Sequence, residues 1–302
     1  EYAMLTERER FRETLLFGRP GRVPFQPGWP RESTLKAWHR QGLPEEADWQ
    51  AYLMQVLGIP YRPTQEHQDL GVSFRMIPTF EERVLEHRAG HYIVQDWMGA
   101  ITEISDQYDY TYIRSAKDFV TRKWHRFPVE SRRDWEEKIK WRYDVRHPDR
   151  FPADFEERCR AARARDDVLE ITISGPFWQL REWCGLENLC LLLVDQPHFV
   201  REMIRFWTDF VLQTLEPILG RVELDNVTIS EDMAYKLHSM IFPAMIRHFL
   251  LPTYQEWTAA IRESGCPLVS LDSDGYIAEL IPLWIEGGFN GCLPVEVAAG
   301  ND

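Results

Sequence analysis

Asn226-Val227-Thr228-Ile229-Ser230, followed at once by Glu231-Asp232-Met233, decides how the chain folds. Five residues of strand character run straight into charge, which reads as a strand ending in a loop. The pattern recurs on either side. Upstream, Val168–Ser174 predicts an apolar strand, and Phe177–Cys184 the start of a helix. Pro197–Leu219 predicts a long helix with Phe199, Met203, Phe206, Phe210 and Leu215 on one side. Downstream, 243–264 predicts another long helix, Leu268–Leu271 a strand, Tyr276–Glu286 a helix and Gly291–Val295 a strand. Strand alternating with helix implies parallel strands joined by right-handed crossovers.

The first half of the chain is less regular. Thr6 with Glu9 three residues on is a capping-box pattern, and Phe11, Leu15 and Leu16 share the face of the helix it opens. Gly18 and Pro20 end that helix. Val23-Pro24-Phe25-Gln26 suggests a short strand, Pro27-Gly28-Trp29-Pro30 a turn, and 32–41 and 45–57 two helices. The stretch 72–104, with Ala89-Gly90 inside it, suggests a β-hairpin or flap. The stretch 117–165 reads as a helical insertion in which Trp124, Trp135 and Trp141 need burial. One domain over 1–302 is the expected organisation, with no internal repeat.

Composition narrows the partners. A net charge of −13 over 302 residues argues against nucleic acid or an anionic membrane, since both reward Lys and Arg. Five cysteines without a CxxC spacing fit free thiols in a reducing compartment. The first twelve residues are charged and lack the apolar segment of a signal peptide, and no apolar run is long enough to span a bilayer. A cytoplasmic protein with a small-molecule substrate is the expectation.

In a βα array chemistry gathers at the C-terminal ends of the strands. Here those ends read Ser174-Gly175-Pro176-Phe177-Trp178, Ser230-Glu231-Asp232, Asp272-Ser273-Asp274-Gly275 and Pro294-Val295-Glu296. Five carboxylates at one mouth cannot all ionise cheaply, so they call for a metal, a cationic substrate, protonation, or partners such as Lys236 and Arg181. Asp232, Asp272 and Asp274 are the candidate catalytic groups, with Glu231 and Glu296 supporting them as substrate contacts. Asp272, Asp274 and Glu296 are the candidate ligands of a divalent metal. The competing reading is that Asp232, Asp272 and Asp274 cap the helices that follow, although capping leaves Glu231 and Glu296 unexplained. Trp29, Phe177, Trp178 and Trp183 are candidate walls of a pocket for a flat ligand, and core packing accounts for aromatics equally well. His238 follows the acidic strand end. A phosphate-binding glycine loop and a G-x-S-x-G elbow are both missing from the sequence.

Several of these segments together resemble the uroporphyrinogen decarboxylase superfamily. They are Arg8-Glu9-Arg10-Phe11, Arg22-Val23-Pro24-Phe25, Gly175-Pro176-Phe177-Trp178, Glu231-Asp232-Met233-Ala234, Pro252 with Tyr254, Asp274-Gly275, Leu280-Ile281-Pro282, Glu286 with Gly288-Phe289, and Pro294-Val295-Glu296. The resemblance implies a (β/α)8 TIM-type barrel cut short after its sixth strand, with a homodimer as a possible assembly. It also implies either tetrapyrrole decarboxylation or methyl transfer, the latter with a corrinoid (cobalamin) cofactor or a corrinoid protein as partner. The chain departs from both patterns. Of the decarboxylase arginines after the first strand it keeps at most Arg31; Trp183 stands where a tyrosine is expected, and Asp232 where a serine is. The methyltransferase branch's zinc-binding His-x-Cys pair is replaced by Asp272-Ser273-Asp274, oxygen donors that suit a harder cation. Methyl transfer to or from a corrinoid is therefore the leading expectation and tetrapyrrole decarboxylation the alternative, with a non-catalytic binding protein on the same barrel as the third.

Overall fold

In a computed structural model the chain is described over residues 5–25, 28–59, 69–115, 117–118 and 120–302. It divides into two compact units, one made of Glu1–Pro20, Gln68–Thr79 and Arg126–Asp302, the other of Gly21–His67 and Phe80–His125.

The larger unit is built on a four-stranded parallel sheet in the order β5-β6-β7-β8, with β5 Glu170–Ser174, β6 Asn226–Ser230, β7 Leu268–Asp272 and β8 Gly291–Leu293. Helices α7 Pro176–Cys184, α8 Leu186–Asp195 and α9 Pro197–Leu219 join β5 to β6, while α10 Pro243–Phe249 and α11 Leu251–Glu263 join β6 to β7. α12 Ile281–Glu286 joins β7 to β8. The expected single helix over 243–264 is broken at Leu250, because Pro252 cannot donate a backbone hydrogen bond to the preceding turn. Among the described residues no sheet closes on itself. The architecture shown is α/β with an open parallel sheet.

One strand expected in the first half is not there. Val23–Phe25 has no ladder partner, and Gln26 and Pro27 lie outside the described residues. Around Met76 the backbone spends its polar groups differently. The guanidinium of Arg150, wholly buried, donates to the carbonyls of Ser73, Arg75, Arg142 and Asp144, and Arg142 donates to those of Pro78 and Thr79. Carbonyls held this way leave no strand ladder to form, yet none is orphaned.

The sheet's apolar face (Ile171, Ile173, Val227, Ile229, Val269, Leu271) follows from the period-two alternation of side chains. Long aromatic side chains fill the same unit: Tyr143, Trp183, Trp207 and Phe210 meet edge-on or stacked with ring centroids 5.2–6.0 Å apart. At the N-terminal end of β6, Asp225 is enclosed by Arg8, Arg12 and Arg165 and by the Leu169 N–H, which ties α1 Glu7–Leu15 to the sheet. Burial raises the Asp225 carboxyl, and those donors more than reverse it, leaving it below the usual aspartate value. Of the three tryptophans expected to need burial only Trp135 is enclosed. Trp141 is covered instead by Arg142 stacking at 4.4 Å, with its indole N–H on Glu137. Four short helical turns, α5 Arg132–Asp134 and the three that follow it to 150, lead into α6 Phe155–Arg163.

The smaller unit holds α2 Glu32–Arg40, α3 Trp49–Leu57, the single turn α4 Tyr112–Ser115 and an antiparallel sheet in the order β1-β2-β3-β4. Its strands are β1 Arg83–Arg88, β2 His91–Gln95, β3 Ile101–Ser105 and β4 Lys123–Arg126. The expected hairpin turns at Ala89-Gly90, both left-handed (φ 49° and 77°), the conformation that matches the twist of a two-residue β-turn. Trp124, on β4, is covered by the Arg122 guanidinium at 4.3 Å. Trp29, expected to wall the pocket, is 81% exposed, its ring meeting Trp49 at 5.7 Å.

Candidate functional site

The C-terminal ends of β5–β8 are in register: Ser174 lies beside Ser230, Ser230 beside Asp272, and Asp272 beside Leu293. The loops that leave these ends are stitched together. Gly275 donates its N–H to Glu296 (2.6 Å), Tyr276 to the Tyr235 carbonyl, and Ile277 to Asn301, whose own amide donates to the carbonyls of Gly275 and Glu296. Gly275 has φ 86°, and a Cβ there would fall 2.6 Å from the Tyr235 carbonyl oxygen, so only glycine lets the loops close this tightly.

On this platform the structure brings together Asp232, Asp272, Asp274 and Glu296. Ser230 donates its hydroxyl to Asp272 (2.8 Å), and Glu296 accepts from Gly275. Asp232 sits at φ 41°, a left-handed conformation that a residue with a Cβ adopts at a cost. Arg181, on α7, holds it there by donating to both its carbonyl (2.8 Å) and its carboxylate (3.2 Å). The Arg181 guanidinium lies 4.6 Å from the centre of the Trp178 ring, whose indole N–H donates to Glu182 (2.7 Å). Asp274 is exposed, and its carboxyl is raised above the usual aspartate value by partial burial and by the charges of Glu296, Asp232 and Asp272. Lys236 is exposed and forms no ion pair with these groups among the described residues.

Capping is distributed in the opposite way to the expectation. None of Asp232, Asp272 or Asp274 caps a helix, since α7, α10 and α12 begin without a side-chain cap of their own. The two glutamates that capping left unexplained are the ones that accept backbone N–H groups. Glu231 is wholly buried, with its carboxylate on the Trp178 N–H (2.8 Å) in the first turn of α7 and on the Tyr254 hydroxyl (2.5 Å). It is thus not a substrate contact. Trp183 and Phe177 are likewise sealed in the core, at 0% and 2% exposure, and do not wall a pocket; Trp178 is half-buried at the mouth. His238 is exposed, with its ring nitrogen on the Ser239 carbonyl.

Among the described residues no three His, Cys, Asp or Glu side chains gather as a metal-holding group. One oxygen each of Asp272 and Glu296 is engaged by Ser230 and Gly275. The larger described groove, about 790 Å³, is lined by Pro243, Arg247, His248, Pro252, Glu279 and Pro282, among others, and by none of the four carboxylates. The stitched loops carry exposed apolar side chains, Tyr235, Leu237, Val295 and Val297.

One part of the site went unread in the sequence. Glu170, Thr172 and Ser174, Asn226, Thr228 and Ser230, and Ser270 and Asp272 occupy alternate positions and form a polar face on the parallel sheet. Asn226 donates to Glu170 (2.8 Å) and accepts from Ser270 (2.9 Å). Parallel sheets ordinarily cover both faces with apolar side chains, so a polar face that ends in the carboxylates belongs to the site. The signal was present as strict alternation in Glu170-Ile171-Thr172-Ile173-Ser174 and Asn226-Val227-Thr228-Ile229-Ser230.

No protein-family model matches the sequence, and no curated protein matches it. Among solved structures it is similar to a methyltransferase from Methanosarcina mazei, with 13% identity and a TM-score of 0.41 over 58% of this chain and 49% of that one. The likeness spans about half the length of that methyltransferase, so function has to be argued from the site itself. Among the described residues no helix is long and apolar enough to cross a membrane.

Proposed function

We propose that the chain is an enzyme on a scaffold related to the (β/α) barrels, whose acidic mouth binds a compact organic cation bearing a methyl group and which catalyses transfer of that group. The observation that supports this most is the convergence of Asp232, Asp272, Asp274 and Glu296 at one end of a parallel sheet, with the Arg181 guanidinium bonded to Asp232. Such a mouth repels a polycarboxylate, which weighs against a tetrapyrrole acid as substrate, and attracts a quaternary ammonium or sulfonium. A ligand of that kind has no N–H to donate. It is held by charge alone, which suits carboxylates already oriented by Ser230 and Gly275.

The charge logic also favours turnover. When the methyl group leaves with its positive charge, the remaining amine or thioether is neutral and the carboxylates lose their hold on it. A corrinoid carried by a partner would supply the nucleophile that accepts the methyl group. This chain's residues bind the cation, orient its methyl group toward the opening and provide the apolar rim for the partner.

The test is a calorimetric titration with tetramethylammonium, followed by incubation of the same quaternary ammonium with reduced cobalamin. Saturable binding that is lost when Asp272→Asn and Asp274→Asn are combined, together with appearance of methylcobalamin, supports the proposal. Wild-type protein that binds no quaternary ammonium, or a double variant that binds it equally well, sinks it.

A further inference from the structure

We propose that Glu231 is the positioning residue of the acidic mouth: its carboxyl group clamps the first turn of α7 to the end of β6 and thereby sets where Trp178 and Arg181 stand. Three observations carry this. First, space has been cleared for the carboxyl group. A Cβ on Gly175 would lie 2.1 Å from the Glu231 carboxyl carbon and 2.5 Å from both of its oxygens. Second, the contact replaces a missing cap. Gly175 stands at the helix N-cap with no side chain to offer, and Glu231 reaches across from the neighbouring strand to take the Trp178 N–H at 2.8 Å. Third, the opposite oxygen is fixed by Tyr254 of α11 at 2.5 Å, so the clamp spans α7, β6 and α11.

What the clamp orients is the cationic side of the mouth. Trp178 is the residue whose N–H is held, and its ring carries the Arg181 guanidinium that bonds Asp232. A small rotation of the α7 N-terminus would move Arg181 away from Asp232 and leave the four carboxylates without their bonded cation.

The hold varies with charge. An ionised carboxylate accepts the Trp178 N–H far more strongly than a protonated one. Burial pushes Glu231 up to about 7, against the Tyr254 hydrogen bond, the Trp178 and Phe177 N–H groups and the more distant Arg181 charge, all of which favour its ionised form. The charged and titratable groups that face it are Tyr254 on α11, Arg181 on α7, Asp232 next in the chain, and Asp272 on β7, whose backbone carbonyl accepts the Glu231 N–H. The clamp does not depend on which ligand the mouth takes.

A measurement that needs no ligand follows. The full chain is labelled with 5-fluorotryptophan, the Trp178 resonance is assigned by Trp178→Phe, and its fluorine shift is followed from mildly acidic to mildly alkaline pH. The expected result is a transition with its midpoint near 7, absent in Glu231→Gln, which keeps shape and hydrogen-bonding reach without the charge. Tyr254→Phe keeps the carboxyl but removes a bond that favours ionisation, so its midpoint moves to higher pH. A Trp178 resonance that stays put through neutrality, or that shifts identically in Glu231→Gln, overturns the proposal, as does an unmoved midpoint in Tyr254→Phe. Failure here would leave the cation-binding result standing, because that titration reads Asp272 and Asp274.

Discussion

At the scale of single residues, Glu231 is the group whose chemistry differs most from what its neighbours in sequence suggested. Five carboxylates at strand ends were visible in the letters; which were buried and which exposed was not, because burial depends on α7 and α11 folding over the strand. The difference has a consequence for stability. In the unfolded chain Glu231 titrates near 4.5, and in the folded chain burial raises it to about 7. Between those values the folded state holds the proton that the unfolded state has released, so stability falls as pH rises through this window and is flat above it. The total is about 3 kcal/mol. Glu231→Gln carries no such proton. Urea denaturation at mildly acidic and mildly alkaline pH should therefore show the wild type losing that much more stability than the variant. Parallel curves for the two would mean that Glu231 is ionised throughout.

At the scale of elements, local rules held where they had only the backbone to satisfy. α1 begins at the capping box expected for it, with the Thr6 side chain on the Glu9 N–H (3.1 Å) and the Glu9 carboxylate on the Thr6 N–H (2.8 Å). Pro197–Leu219 and Asn226–Ser230 form with the boundaries their patterns imply. The departures have two causes, one local and one distant. Val23–Phe25 has strand character but a proline that cannot donate, and the residues around Met76 surrendered their carbonyls to Arg142 and Arg150, which lie far along the chain. A pattern read over a short window does not register such a partner. α1 offers a clean check, since its cap is exposed while Arg8 and Arg12 tie it to Asp225. Thr6→Ala should cost about 1 kcal/mol in denaturation and free the Glu9 amide to exchange sooner. A loss several times larger would show that the cap holds more than its own helix.

At the scale of the molecule, a parallel sheet carries one apolar and one polar face, and the polar one runs out into four carboxylates and one arginine. The alternation that marks this face was legible in two strands, while the convergence at their ends required the register and the loop stitching through Gly275, Glu296 and Asn301. The arrangement makes a prediction that separates charge from shape. Among the described residues four formal negative charges face one bonded positive, an excess of three, and at ~6 Å in water each is worth roughly 0.7 kcal/mol to a bound monocation. Screening over a Debye length of about 10 Å at 0.1 M salt removes close to half of that, so tetramethylammonium should bind about fivefold more weakly than at low salt. A neutral isostere such as neopentane-shaped tert-butyl methanol should show no such dependence. Acid should release the cation as well, beginning above the usual aspartate range, because Asp274 is raised by partial burial and by its like-charged neighbours. If affinity for the ammonium ion proved indifferent to salt, or equal to that for the neutral isostere, the carboxylates would be supporting the loops rather than holding a cation.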